Sequence, residues 1–144
     1  MKNFIVIWIL SFAFGSALAQ TPKELGAAAA NSGDFPRAYA LWLPIAKQGD
    51  PEVQEAIALL LEGHVDVGVK FSADERNAAI RYWILRAAKG GQRSASRWLA
   101  DALSKGWNGF QKNEEGAKCW ASVSTGQATV SDCEKIILKS VQSR

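Results

Sequence analysis

GDFPRAYALWLPIAKQGDPEVQEAIALLLEG, Gly33 to Gly63, is followed by SADERNAAIRYWILRAAKGGQRSASRWLADALSKG, Ser72 to Gly106, and the phrase opens a third time as NEEGAKCWASVSTG, Asn113 to Gly126. In each copy an alanine precedes a tryptophan by about one helical turn: Ala38 and Trp42, Ala79 and Trp83, Ala117 and Trp120. The tryptophans are spaced 41 and then 37 residues apart, the period range of helical-pair repeats. A helical pair cannot bury both its faces alone, so such copies stack on their neighbours. The pattern therefore predicts an all-α fold, a short α-solenoid of about three antiparallel helical hairpins, with approximate repeats at 33–63, 72–106 and 113–142.

Caps mark where each helix begins and ends. Thr21-Pro22-Lys23-Glu24 is a capping box with proline at the first helical position, and it starts a short helix that Asn31-Ser32-Gly33 stops. The interior of that helix, Leu25-Gly26-Ala27-Ala28-Ala29-Ala30, is small enough for a neighbour to approach closely, so it reads as an N-terminal capping helix. Asp34 caps the next helix, in which Tyr39, Leu41, Trp42 and Ile45 are available for burial, and Gly49 ends it. Pro44 removes one backbone bond there and predicts a bend. After Asp50-Pro51 a second helix presents Val53, Ile57, Leu60 and Leu61 on one face.

His64 to Phe71 reads as a connecting loop with buried valines. Ser72-Ala73-Asp74-Glu75 is a second capping box, launching a helix with Ala78, Ala79, Tyr82, Trp83 and Ala87, which stops at Gly90-Gly91. Its partner carries Ala95, Trp98, Leu99, Ala102 and Leu103 up to Gly106. Asn113 caps a further helix ending at Gly126, and Ser131-Asp132-Cys133-Glu134 reads as a third capping box, opening a last helix with Ile136, Ile137 and Val141 inward.

Residues 1–19 read as a signal peptide. Lys2 supplies the positive start, Phe4 to Phe14 is almost wholly apolar, and Ala17-Leu18-Ala19 places small residues where a signal peptidase cuts. The apolar run is short for a membrane-spanning helix, and no cysteine follows the cleavage site to carry a lipid. The expectation is a periplasmic or secreted domain, residues 20–144, with no stable membrane anchor after cleavage. The formal charge of the whole chain is +3. Charge is unevenly spread: Gln20 to Val69 carries three basic and seven acidic residues, whereas Lys70 to Lys105 carries eight basic and three acidic. Such an asymmetry orients a charged partner at long range.

The small and aromatic residues of the first helix, the AKQG turn, the second helix of G-x-x-x-A/V-x-x-x-L/I type and the closing glycine make GDFPRAYALWLPIAKQGD resemble an opening Sel1-like repeat, a relative of the tetratricopeptide repeat. The resemblance runs from about Asn31 to about Cys133. It implies a right-handed solenoid that presents surfaces to other proteins, with a hydrolase resembling the cysteine-rich members of the family as a third reading. The third copy departs from the pattern, since SDCEKIILKS lacks the alanines, as a terminal cap would.

Chemistry-bearing motifs are sparse. His64 stands in a loop with no His, Cys, Asp or Glu at ligand spacing, and reads as a solvated side chain. There is no phosphate-binding glycine loop, nucleophile elbow or zinc-protease motif. A pair of carboxylates brought together by folding would leave no linear trace. The expectation is nevertheless a protein without catalysis, cofactor or metal. Cys119 and Cys133, the only cysteines, sit at the two sides of the last turn, and in an exported chain they are expected to be bonded.

Two constellations suggest a partner surface. Arg76, Arg81, Arg86, Arg93 and Arg97 form either a solvated face, with Asp101 as an ordinary partner of Arg97, or a basic groove for an acidic protein. Trp42, Trp83 and Trp120 hold repeat-equivalent places and read as core, while Trp98 and Trp107 fall outside that register. Arg81, Arg86, Arg93, Arg97, Trp98 and Trp107 are thus the candidate contact residues, for a protein and not for nucleic acid. The expected function is a monomeric periplasmic interaction module. Its most concrete form is an immunity protein that neutralises an incoming effector or toxin, such as a type VI secretion lipase. The alternative is an envelope scaffold or adaptor.

Overall fold

The computed structural model describes residues 20–142, with side-chain surroundings through Ile136. The expected signal peptide and the side chains of Ile137 and Val141 lie outside the described residues. The fold is all-helical: α1 Pro22–Asn31, α2 Phe35–Gln48, α3 Pro51–Glu62, α4 Ala73–Lys89, α5 Arg93–Lys105, α6 Glu114–Thr125 and α7 Val130–Gln142, with a single 3-10 turn, η1, at Trp107–Gly109.

Local chemistry explains most of the boundaries. At α1 and α4 the Thr21 and Ser72 hydroxyls accept from the amides of Glu24 and Glu75, whose carboxylates accept in return from the amides of Thr21 and Ser72. Asp34, Asp50 and Asn113 cap α2, α3 and α6 with single side-chain bonds. Gly49 closes α2 with φ 109°, a left-handed turn that any side chain would strain. Pro44 lies on the exposed side of α2, and the helix continues through it.

The last helix begins differently from its expected cap. Ser131 and Glu134 form no capping box. Thr129 and Asp132 do, the Thr129 amide donating to the Asp132 carboxylate at 3.3 Å and the Asp132 amide to the Thr129 hydroxyl at 3.4 Å. In the helix that starts two residues earlier, Cys133 is fully buried and Glu134 meets Lys89 of α4 at 2.7 Å. Both four-residue windows satisfy the local cap rule, and tertiary packing selected between them.

Each helix packs on its neighbour in the chain, from α1 on α2 through to α6 on α7. One continuous core runs through them, with Trp42, Trp83 and Trp120 all buried. The face that α4 buries is centred on Ile80, Trp83, Ile84, Ala87 and Ala88, while Ala78 and Tyr82 are exposed. AIRYWILRAA is apolar on too many sides for periodicity alone to choose the buried stripe. The loop between α3 and α4 buries Val67, half-buries Val65 and leaves Val69 exposed.

Two contacts join α3 to α5, which are not chain neighbours. Glu55 on α3, a nearly buried carboxylate, accepts from Gln92 Nε2 and Ser94 Oγ at 2.7 Å each, at the start of α5. That terminus has no side-chain cap of its own, and the Glu55 carboxylate, held there by two side chains, stands at the end of α5 where the helix dipole favours negative charge. The second contact runs through Glu62 and leads to the candidate site.

Candidate protein-binding site

Glu62, the last residue of α3, receives two hydrogen bonds. Trp98 Nε1 of α5 donates to Oε2 at 2.9 Å, and Asn108 Nδ2 of η1 donates to Oε1 at 3.3 Å. Arg81 of α4 extends this chain of bonds by donating from Nη1 to the Asn108 carbonyl at 3.0 Å. One carboxylate and one guanidinium thus tie α3, α4 and α5 to the same three-residue turn.

The turn has an unusual backbone. Gly106, Asn108 and Gly109 all have positive φ, and asparagine is among the few side chains that tolerate that region. A Cβ at Gly109 would overlap the Arg81 guanidinium, so glycine there is what lets the arginine reach the Asn108 carbonyl. Phe110 packs edge-on against Trp98 with ring centroids 6.2 Å apart, and the Asn113 amide bonds the Leu103 carbonyl at 2.8 Å. Held in this way, the loop carries Trp107 outward, 48% exposed, with Lys105 Nζ 3.9 Å from its ring centroid. A tryptophan on a braced loop with a cation over one face offers a large contact area at little ordering cost.

The six candidate residues therefore divide. Trp107 is the exposed aromatic. Trp98 is half-buried and holds Glu62, and Arg81 holds the Asn108 carbonyl, so both position the loop. Arg86 is exposed and lies over the Tyr82 ring at 5.5 Å. Arg97 faces Asp101 at 3.7 Å, the ordinary pair of the solvated-face alternative. Arg93 is exposed, beside the turn at Gly126. Arg76, the fifth arginine of that stretch, donates to the Leu61 carbonyl at 3.1 Å and stacks on Phe71. Among the described residues no group of three His, Cys, Asp or Glu side chains is arranged to hold a metal ion.

An apolar feature lies between α2 and α3. Phe35, Trp42, Ala56, Leu59, Leu60, Gly63 and Val65 line an open apolar groove of about 360 Å³ between the start of α2 and the end of α3. Leu59 is 47% exposed at its edge. Three successive leucines, Leu59-Leu60-Leu61, were the available signal, since one buried helix face cannot take all three.

Cys119 of α6 and Cys133 of α7 are bonded, with their Cα atoms 5.5 Å apart. The bond is compatible with an oxidising, extracytoplasmic compartment. No helix among the described residues is long and apolar enough to cross a membrane. No family model matches the chain, and neither a curated protein nor a solved structure is similar enough to it to match.

Proposed function

We propose that the chain is a non-catalytic protein-binding module of the periplasm, most concretely an immunity protein that binds and neutralises a periplasm-acting effector such as a type VI secretion lipase. In this reading α1 caps a short right-handed solenoid of Sel1-like repeats, and α2–α3, α4–α5 and α6–α7 are its three antiparallel hairpins. The carrying observation is Trp107, half exposed on a turn braced from three helices. Three further features support it: the equivalent buried tryptophans, the serial packing of neighbouring helices and the bonded cysteines.

The test is affinity purification of the tagged chain from the periplasm of its own host, with bound proteins identified and counted. The expected result is one hydrolase or toxin in equal amount, lost with Trp107→Ala and weakened with Arg93→Glu plus Arg97→Glu. Trp107→Ala should lower affinity by about 2 kcal/mol or more, as truncation of an anchoring aromatic does. Several resident envelope proteins in place of one effector would transfer the assignment to a scaffold. Turnover of substrate by the purified protein, lost on changing a carboxylate, would establish an enzyme.

A further inference from the structure

We infer that the α2–α3 groove is a docking site for a partner segment that presents an apolar anchor between basic residues, and that it extends the Trp107 contact surface. The inference rests on the protein-binding reading above and names the chemistry of what is bound.

The groove is lined by the side chains of Phe35, Trp42, Leu59, Leu60 and Val65, and almost none of its surface is polar. Water in such a space makes few hydrogen bonds, so an apolar side chain replaces it favourably. Leu59, nearly half exposed, is the kind of edge residue that a partner would cover.

Charge selects the occupant. Asp34 and Asp66 directly adjoin the lining residues Phe35 and Val65, both are exposed, and neither forms an ion pair among the described residues. Their oxygens do accept backbone amides, Asp34 from Arg37 and Asp66 from Gly68 at 2.8 Å, so the carboxylates are fixed in place. The other acids of this half are engaged elsewhere: Glu24 by Thr21, Asp50 and Glu52 by Lys23, Glu55 by Gln92 and Ser94, and Glu62 by Trp98 and Asn108. An apolar floor whose lining residues are adjoined in the chain by two unpaired carboxylates favours an anchor flanked by lysine or arginine and opposes one flanked by acids.

Continuity with the braced turn supplies the second argument. Glu62 lies one helical turn from Leu59 and adjoins Gly63 of the groove, and the same Glu62 holds Asn108 next to Trp107. The groove and the turn that carries Trp107 are thus joined through one residue of α3.

The probe is a displayed library of random peptides, selected on the full chain expressed from Met1. Expected clones share an apolar anchor with flanking Lys or Arg. Their affinity falls about tenfold or more with Leu59→Lys, the loss of a central anchor contact. It falls about threefold to tenfold with Asp34→Asn plus Asp66→Asn, and that loss shrinks at high salt. Asparagine preserves the helix cap at 34 and the amide acceptor at 66, so these variants keep the fold, and circular dichroism confirms it.

Acid-flanked or unbiased clones, no enrichment, or equal binding to Leu59→Lys would overturn the inference. So would concentration-dependent self-association lost in Leu59→Lys, which assigns the groove to a second copy. Peptide capture only after removal of residues 1–19 would assign it to that segment. An effector captured from the host that still binds Leu59→Lys but not Trp107→Ala would sink the groove and leave the functional reading intact. Failure to capture any protein partner would sink both.

Discussion

Trp42 and Trp120 occupy equivalent places in the repeated sequence, yet the two ends of the chain close around them by different means. At the N-terminal end Trp42 Nε1 donates to the Lys23 carbonyl at 3.1 Å, and α1 comes close enough for this because residue 26 is glycine. A Cβ at Gly26 would overlap the indole Nε1 itself. Lys23 then bridges to Asp50 at 2.9 Å and Glu52 at 2.7 Å, tying α1 to the start of α3. At the other end Trp120 is fully buried, and its Nε1 has no hydrogen-bond partner. There the covalent bond between Cys119 and Cys133 joins α6 to α7, and Lys89 pairs with Glu134.

Close approach and a satisfied polar network hold one end, and a covalent link holds the other where a polar atom is left unmet. The difference teaches that repeat-equivalent residues need not be energetically equivalent. An unpaired buried N–H costs about 1–3 kcal/mol, and a cross-link offsets a debt of that size.

Breaking the covalent end should have the largest effect. Cys119→Ala plus Cys133→Ala is expected to lower unfolding free energy by about 3 kcal/mol, the value for a ring of this size. Denaturant titration measures the loss. Hydrogen exchange should place it in α6 and α7, and equal loss of protection in α1 would show that the two ends are not independent. Gly26→Ala tests the other closure. Overpacking against a buried, hydrogen-bonded ring should cost about 2 kcal/mol, with exchange rising in α1 while α7 stays protected; an unchanged midpoint would remove Gly26 from the account.

A subtler comparison uses one substitution at both places. Trp42→Phe and Trp120→Phe delete similar volume, but only the first leaves a carbonyl without its donor. The first should therefore be the costlier by about 1 kcal/mol, the net value of one hydrogen bond, and equal costs would contradict the difference drawn between the two indoles.

The smallest effect is the pH dependence. Backbone and hydroxyl bonds from Thr21 and Ser72 hold the carboxyls of Glu24 and Glu75 below their usual values, and the Thr129 hydroxyl and amide do so for Asp132. Burial opposes ionisation of Asp50, but the Val53 amide and Lys23 outweigh it and its value is also lowered. Groups lowered on folding stabilise above their ordinary range and lose that contribution as pH falls through the folded values. Lys23 is raised, by Glu52 and then Asp50, so its contribution is complete below its ordinary value and is lost at still higher pH. Melting temperature should therefore be level from about pH 5 to about pH 9 and fall on the acid side below about pH 4. Glu24→Gln, removing one such carboxylate, should shrink the acid fall slightly.

Much of this architecture was legible in residue order. The caps at Thr21, Asp34, Asp50, Ser72 and Asn113 and the stops at Gly49, Gly106 and Gly126 depend on groups within a few residues of one another, so local rules suffice. The three register tryptophans were legible as core because spacing alone gave them equivalent places, and the two cysteines because they flank a single turn. The apolar groove and the choice between two capping boxes at α7 were not, since each depends on which side a neighbouring helix presents.

Sequence by itself thus determined an all-helical chain, the ends of most of its helices and the pairing of its cysteines. Only the tertiary structure decided that Trp98 braces while Trp107 projects, that Arg81 serves a carbonyl in η1, and that Leu59 edges an apolar groove between α2 and α3. The physical reason is distance along the chain. A cap bond spans three residues, whereas the bonds around Glu62 and Arg81 join groups 27, 36 and 46 residues apart, and no local pattern records them.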